Sequence, residues 1–112
     1  MRALNIQIQP ERMKGGDPEE LVARLRDATD GVQLQFVAEN RGDENGLYIN
    51  LNFCTTNFVA GWRRLRGAYD DSDVGRQLES STIATCEGSD GWNDYLLLHH
   101  FNPDEKTDDV DC

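Results

Sequence analysis

The sequence predicts an α+β domain in which helices pack on one face of an antiparallel sheet of about three to five strands. Two observations indicate this class. Between Gly46 and Asp71 the apolar residues first alternate and then recur at helical spacing, so a strand leads directly into a helix. Two further alternating segments precede this stretch, with a helix-start signal between them. We expect one domain over residues 1–102 and an acidic tail over residues 103–112.

The stretch from Gly46 to Asp71 is expected to be the nucleus of the fold. The apolar side of its strand consists of Leu47, Ile49, Leu51 and Phe53. The other side, expected to be polar or partly exposed, consists of Tyr48, Asn50, Asn52 and Cys54. The helix that follows has an apolar stripe of Phe58, Trp62, Leu65 and Tyr69. Side-chain oxygens that can cap this helix come from Thr55, Thr56 and Asn57.

A strand, a helix and a second strand are predicted before this stretch. The first strand alternates through Leu4, Ile6 and Ile8 and stops at Pro10. The helix begins with Asp17 as N-cap and Pro18 at its first position, and Gly31 is expected to end it. Its apolar stripe consists of Leu21, Val22, Leu25 and Ala28. The second strand alternates through Val32, Leu34, Phe36 and Ala38. A turn over residues 39–46 should join it to the central strand as an antiparallel hairpin.

The C-terminal third of the chain allows two interpretations. Asp70, Asp71 and Asp73 surround Ser72, and this segment can cap a helix whose inner face holds Val74, Leu78 and Ile83. Residues 82–101 fit two strands around a Gly-Ser-Asp-Gly turn. They also fit the end of one helix, a break at Gly88 and a new helix capped by Ser89 or Asp90. We expect the helix, because unbranched leucines favour it and one helical face collects Trp92, Tyr95, Leu96 and His99.

The composition is strongly acidic. The chain has 21 Asp and Glu against 11 Lys and Arg, which gives a net charge of −10. This charge disfavours binding to nucleic acid and to anionic membranes, and favours a basic protein partner. The N-terminus has no apolar run of signal-peptide length and no segment approaches a membrane span, so we expect a cytoplasmic protein. The sequence leaves the oligomeric state open.

The sequence contains no pattern typical of a catalytic or metal site. His99 and His100 are adjacent, so their side chains diverge on a helix or a strand and cannot easily share a metal ion. Cys54, before a helix N-terminus, is the one candidate nucleophile, but no orienting group can be assigned to it. Cys54, Cys86 and Cys112 lack metal-binding spacing and are expected to be free thiols. We therefore expect no enzymatic activity, no cofactor and no metal.

Two segments resemble a known family. INLNFCTTNFVA is similar to the strand-to-helix signature of the immunity protein 8 family of bacterial polymorphic toxin systems, with Phe53, Cys54, Thr55, Phe58 and Val59 in matching places. The run LESSTIATCEGSDGWNDYLLL resembles that family's helix, Glu-Gly break and Trp-led second helix, through Leu78, Glu87, Gly88, Trp92 and Leu96. The resemblance covers residues 32–98. It departs from the family at Thr56, where proline is usual, at Val59, where leucine is usual, and after Phe101.

This resemblance implies an antidote that binds a cognate toxin, often a nuclease, and occludes its active site. Acidic residues near aromatic side chains are the candidate partner-binding residues: Tyr69, Asp70, Asp71, Asp73, Glu87, Asp90, Trp92 and Asp94. A nucleic-acid-mimicking inhibitor of phage or plasmid type, which would show a contiguous acidic stripe, is one alternative. Another is a small enzyme that uses Cys54 with a histidine within hydrogen-bonding reach. A secretion adaptor, with a continuous apolar groove, is the last.

Overall fold

The computed structural model describes residues 2–31, 33–43, 46–88 and 91–108, with the backbone alone for residues 91–95. The strands are β1 (Arg2–Ile8), β2 (Gln35–Gly42), β3 (Tyr48–Thr55), β4 (Thr82–Gly88) and β5 (Gly91–His99). The helices are α1 (Pro18–Arg26), α2 (Phe58–Arg66) and α3 (Asp73–Ser81), and a short 3-10 helix spans Pro10–Arg12.

The five strands form one antiparallel sheet in the order β2-β3-β1-β4-β5. The first strand of the chain is therefore central, between β3 and β4. Leu4 lies opposite Phe53 of β3 and Cys86 of β4, and all three side chains are buried. The alternation in the sequence thus specifies one buried face that continues across the middle of the sheet.

The helices cover this buried face, which confirms the predicted α+β class with helices on one side. Each helix contributes side chains to the same core: Leu21, Val22 and Leu25 from α1, Trp62 and Leu65 from α2, and Leu78 from α3. α1 and α2 end at Arg26 and Arg66, before the predicted ends at Gly31 and Tyr69. Leu47 was predicted on the apolar side of the central strand but is 51% exposed, because β3 begins one residue later.

We call the opposite side of the sheet the open face; among the side chains that the structure describes, it carries none of the core residues. Its side chains alternate with buried ones, so residues paired across the strands share this face. The open face is formed by Ala3, Asn5, Gln7, Gln35, Ala38, Asn40, Tyr48, Asn50, Asn52, Cys54, Ile83, Thr85, Glu87 and Leu97.

The predicted β2–β3 hairpin is present, with a longer first strand than expected. β2 continues through residues 39–42, which the sequence had indicated as turn, and it contains a bulge between Phe36 and Ala38. Arg41 pairs with Glu39 and with Glu19 of α1. These contacts stabilise the strand beyond the point at which its apolar alternation stops. Val32, predicted in this strand, lies outside the described residues.

The helical interpretation of residues 82–101 is wrong, because β4 and β5 form an antiparallel hairpin there. α3 passes into β4 without a loop, since Ser81 ends the helix and Thr82 begins the strand. β4 pairs along its length with β1, which lies 70 residues or more earlier in the chain. Pairing with β4, which is itself paired with β1, outweighs the helix propensity of the leucines in β5.

The segment after β5 turns back along the edge of the sheet. The Asp108 backbone N–H donates to the Leu97 carbonyl at 2.8 Å, and the Leu97 N–H donates to the Asp108 carboxylate at 2.7 Å. The Arg12 guanidinium lies 3.8 Å from the centre of the Phe101 ring. The Asp108 hydrogen bonds attach part of the predicted tail to β5, and the domain boundary at residue 102 stays a prediction.

Candidate functional site: an acidic groove between two helices

A groove of about 590 Å³ lies between α1 and α3. Three carboxylates line it, Asp17 and Glu20 from the start of α1 and Asp73 from the start of α3. Two basic side chains, Lys14 and Arg76, also line it. Its apolar surface comes from Met13, Leu21 and Val74. We call this surface the α1–α3 groove.

The loop before α1 brings the first turn of that helix against α3. Gly15 and Gly16 have φ values of 121° and 82°, which L side chains rarely adopt, so the chain turns sharply there. The Lys14 backbone N–H donates to the Gln77 side chain of α3 at 3.0 Å. The Asp17 carboxylate then caps α1 by accepting from the Glu19 N–H at 3.0 Å. Glu20, one position further along this turn, lines the groove.

The loop between α2 and α3 positions the other carboxylates. Ser72 is the N-cap of α3, where its hydroxyl oxygen accepts from the Gly75 N–H at 3.1 Å. Asp70 accepts hydrogen bonds from the Ser72 hydroxyl and backbone N–H and pairs with Arg24 of α1. These contacts hold the pKa of Asp70 below its ordinary value of 3.8. All three aspartates of this segment are exposed, and Asp70 differs from Asp71 and Asp73 in that it pairs with Arg24.

The chemistry of the α1–α3 groove suits a long basic side chain. The aliphatic stem of a lysine or arginine can pack on the apolar surface while its charge meets the carboxylates at the helix starts. From the sequence, Asp73 is predicted as a partner-binding residue. Asp17 is assigned only as a helix cap, and Glu20 is not among the candidate partner-binding residues. The local signal for both residues is a helix start, and only the packing of α1 on α3 brings them beside Asp73.

Tyr69 is in the core, so the structure does not present it as an exposed anchor for a partner. It is only 7% exposed, and its ring packs between those of Trp62 and His99. The Thr82 hydroxyl donates to the Leu78 carbonyl, so the Tyr69 hydroxyl donates to Thr82 at 2.8 Å. Burial raises the pKa of the Tyr69 phenol well above its ordinary value.

Of the second predicted cluster, the structure describes the side chain of Glu87 alone. Glu87 is on the open face near the end of β4, on the opposite side of the sheet from Asp73. Trp92 and Asp94 belong to β5, and their side chains are not among those described. Asp90 lies outside the described residues. Glu87 and Asp73 therefore do not belong to one continuous patch.

The geometry does not join Cys54 to a histidine. Cys54 is on the open face, and its sulfur lies 3.9 Å from the Gln35 side-chain oxygen. His99 lies on the other face, against Tyr69, with a ring nitrogen 3.0 Å from the Glu79 carbonyl oxygen. The His100 ring accepts a hydrogen bond from the Asn102 N–H. Among the described residues, no three His, Cys, Asp or Glu side chains are placed to hold a metal ion.

Comparisons with known proteins give no family for this chain. No family model matches it, and neither a curated protein nor a solved structure does. In the described part of the chain, no helix has the length and apolar character needed to cross a membrane. The similarity to the immunity protein 8 family thus depends on the sequence motifs alone and stays a prediction.

Proposed function

We propose that this protein is an inhibitor that binds another protein, an immunity protein that neutralises a cognate basic toxin by covering its active site. One observation carries the proposal: a chain of net charge −10 places three carboxylates around an apolar-floored groove between α1 and α3. The first motif of the resemblance supports the same function, since its strand-to-helix segment is β3 followed by α2. The second helix that the other motif implies is absent, because that segment forms β5. The partner that fits this surface is a basic protein segment with a protruding lysine or arginine.

Electrostatics explains how such a groove would serve an antidote. Opposite charges on the two proteins accelerate their encounter, which matters for an inhibitor that must act before its toxin does. Nucleases bind phosphates with basic residues, so carboxylates of an inhibitor can occupy the same positions. Lys14 and Arg76 interrupt the carboxylates of the groove. This mixed lining favours a protein partner at the groove over mimicry of an evenly charged phosphate backbone.

A charge-reversal variant with a matched control tests the proposal. The variant, called the groove variant, is Glu20→Lys, Asp71→Lys and Asp73→Lys. Glu20 and Asp73 line the groove, and the exposed Asp71 belongs to the loop that precedes α3. Asp17 stays unchanged because it caps α1, and Asp70 because it pairs with Arg24. The control variant, Asp27→Lys, Asp104→Lys and Glu105→Lys, makes the same change in net charge at exposed positions elsewhere.

Each tagged protein is used to capture partners from lysate of the source organism, and captured proteins are identified by mass spectrometry. The captured basic protein is then expressed in a host with and without each variant. We expect it to stop growth, and we expect the wild type and the control variant, but not the groove variant, to restore growth. Equal rescue by the groove variant would show that the groove does not take part in neutralising the toxin. A captured protein that does not stop growth would contradict the immunity proposal.

A further inference from the structure

The open face differs chemically from the rest of the molecule. One row of side chains crosses all five strands through Ala38, Asn52, Asn5, Thr85 and Leu97. Every member of this row is uncharged, although 29% of the chain is charged. The carboxylates that bind arginines or line the α1–α3 groove lie on the helices and loops instead, or, in the case of Glu39, on the helix side of β2.

The neighbouring row repeats this pattern. It runs through Asn40, Asn50, Gln7 and Ile83 on four adjacent strands. Among the described side chains of the open face, Glu87 alone is charged, and it lies at the end of β4. The centre of the face is thus neutral, with amide groups flanked by the apolar side chains of Ile83 and Leu97.

The amides of this face leave hydrogen-bonding capacity for a partner. The Asn5 amide donates to the Asn52 oxygen at 2.7 Å, which uses one donor of the first and one acceptor of the second. The side chains of Asn40 and Asn50 form no hydrogen bond within the described part of the chain. An amide group carries both donors and acceptors, so a surface of amides is complementary to a copy of itself turned by a two-fold axis.

We propose that the open face binds a second copy of this chain, forming a two-fold dimer in which the two sheets pack face to face with β1, β3 and β4 at the centre of the contact. Two molecules that each carry a charge of −10 repel when their carboxylates meet. Contact through the open face keeps the helical carboxylates of both copies on the outside of the dimer. This interface is separate from the α1–α3 groove, which stays accessible.

The dimensions of the face indicate a weak dimer. With about 4.8 Å between strands and about 3.3 Å per residue, five strands of about seven residues span roughly 19 by 23 Å. This is roughly 900 Å² for the two copies together, below the roughly 1,600 Å² of a standard stable interface. We therefore expect self-association at protein concentrations of about 10 to 500 µM.

Sedimentation velocity of the full chain over this concentration range tests the proposal at about 50 mM and about 500 mM salt. Association should be stronger at high salt, because salt screens the repulsion between two acidic molecules. Asn50→Glu and, separately, Gln7→Glu should each weaken association at least tenfold. Ala23→Glu, which adds the same charge at an exposed position of α1, should leave it within about twofold. Circular dichroism verifies that the variants fold.

A single 12.7 kDa species at every concentration and both salt levels would overturn the proposal. Association that survives both open-face substitutions, or that Ala23→Glu weakens equally, would also overturn it. None of these outcomes depends on the toxin, so this proposal and the immunity proposal fail independently.

Discussion

Tyr69 connects three elements through one side chain. It follows α2, its ring packs against Trp62 and His99, and its hydroxyl donates to Thr82 at the start of β4. Thr82 in turn donates to the Leu78 carbonyl of α3. This chain of buried hydrogen bonds satisfies polar groups at the point where α3 passes into β4.

Replacing Tyr69 by phenylalanine should lower the free energy of unfolding by about 1 kcal/mol, because it leaves the buried Thr82 oxygen without a donor. Urea unfolding followed by circular dichroism measures the change. Tyr48→Phe is the matched control, since the Tyr48 ring lies partly exposed over Gly42 on the open face. Equal losses in the two variants would show that the Tyr69 hydroxyl has no special role.

His99 should make stability depend on pH. Burial lowers its pKa below the ordinary value of 6.5, so below that pH the unfolded chain binds more protons than the folded protein. The His99 contribution is therefore complete above pH 6.5 and is lost as the pH falls through 6.5 toward the lower folded-state pKa.

Between about pH 7.5 and pH 5, the free energy of unfolding should fall less steeply for His99→Gln than for the wild type. Urea titrations at a series of pH values give both slopes. His100→Gln is the matched control, because it also removes an imidazole but leaves His99 against Tyr69. Parallel curves for His99→Gln and the wild type would contradict this assignment.

At the scale of elements, the start of α3 depends on close packing against the preceding loop. A Cβ atom on Gly75 would overlap the backbone oxygen and nitrogen of Asp70, which cannot move away as a flexible side chain can. Gly75 therefore allows the loop to fold tightly onto the first turn of α3, where Ser72 and Asp73 begin the helix.

Gly75→Ala should destabilise the protein by about 1–3 kcal/mol, because the backbone must shift to accept the methyl group. Gly67→Ala is the control. Gly67 has helical φ and ψ of −61° and −20°, and its added Cβ would be 3.4 Å from the nearest backbone oxygen. That variant should be neutral or more stable by up to about 1 kcal/mol. Thermal unfolding of both variants measures these changes in stability. A Gly75→Ala variant as stable as the wild type would contradict the tight packing of the loop on α3.

Local patterns predicted the elements that carry a regular apolar alternation or a helix-start signal in their own sequence. Alternation in β1 and β3, together with the Asp17–Pro18 helix start, specified strands and a helix that the structure contains. The β4–β5 hairpin was assigned to helix because its leucines carry no strand signal, and β4 takes its place in the sheet by pairing with distant β1. The α1–α3 groove was not predictable for the same reason, since it forms between helices nearly 50 residues apart.

At the scale of the whole molecule, charge is unevenly distributed. The central open face is neutral, while three carboxylates meet at the α1–α3 groove on the other side. Salt should therefore act in opposite directions on the two proposed contacts. It should weaken binding of a basic partner at the groove and strengthen self-association through the open face.

The association rate constant of the captured basic partner, measured by stopped flow at low and high salt, tests the groove most directly. At low salt, we expect Glu20→Lys/Asp71→Lys/Asp73→Lys to reduce this rate at least about tenfold and to flatten its salt dependence. The Asp27→Lys/Asp104→Lys/Glu105→Lys control, with the same net charge, should keep a rate within about threefold of wild type. Equal rates for the two variants would mean that net charge alone guides the partner, which would contradict a binding site at the α1–α3 groove.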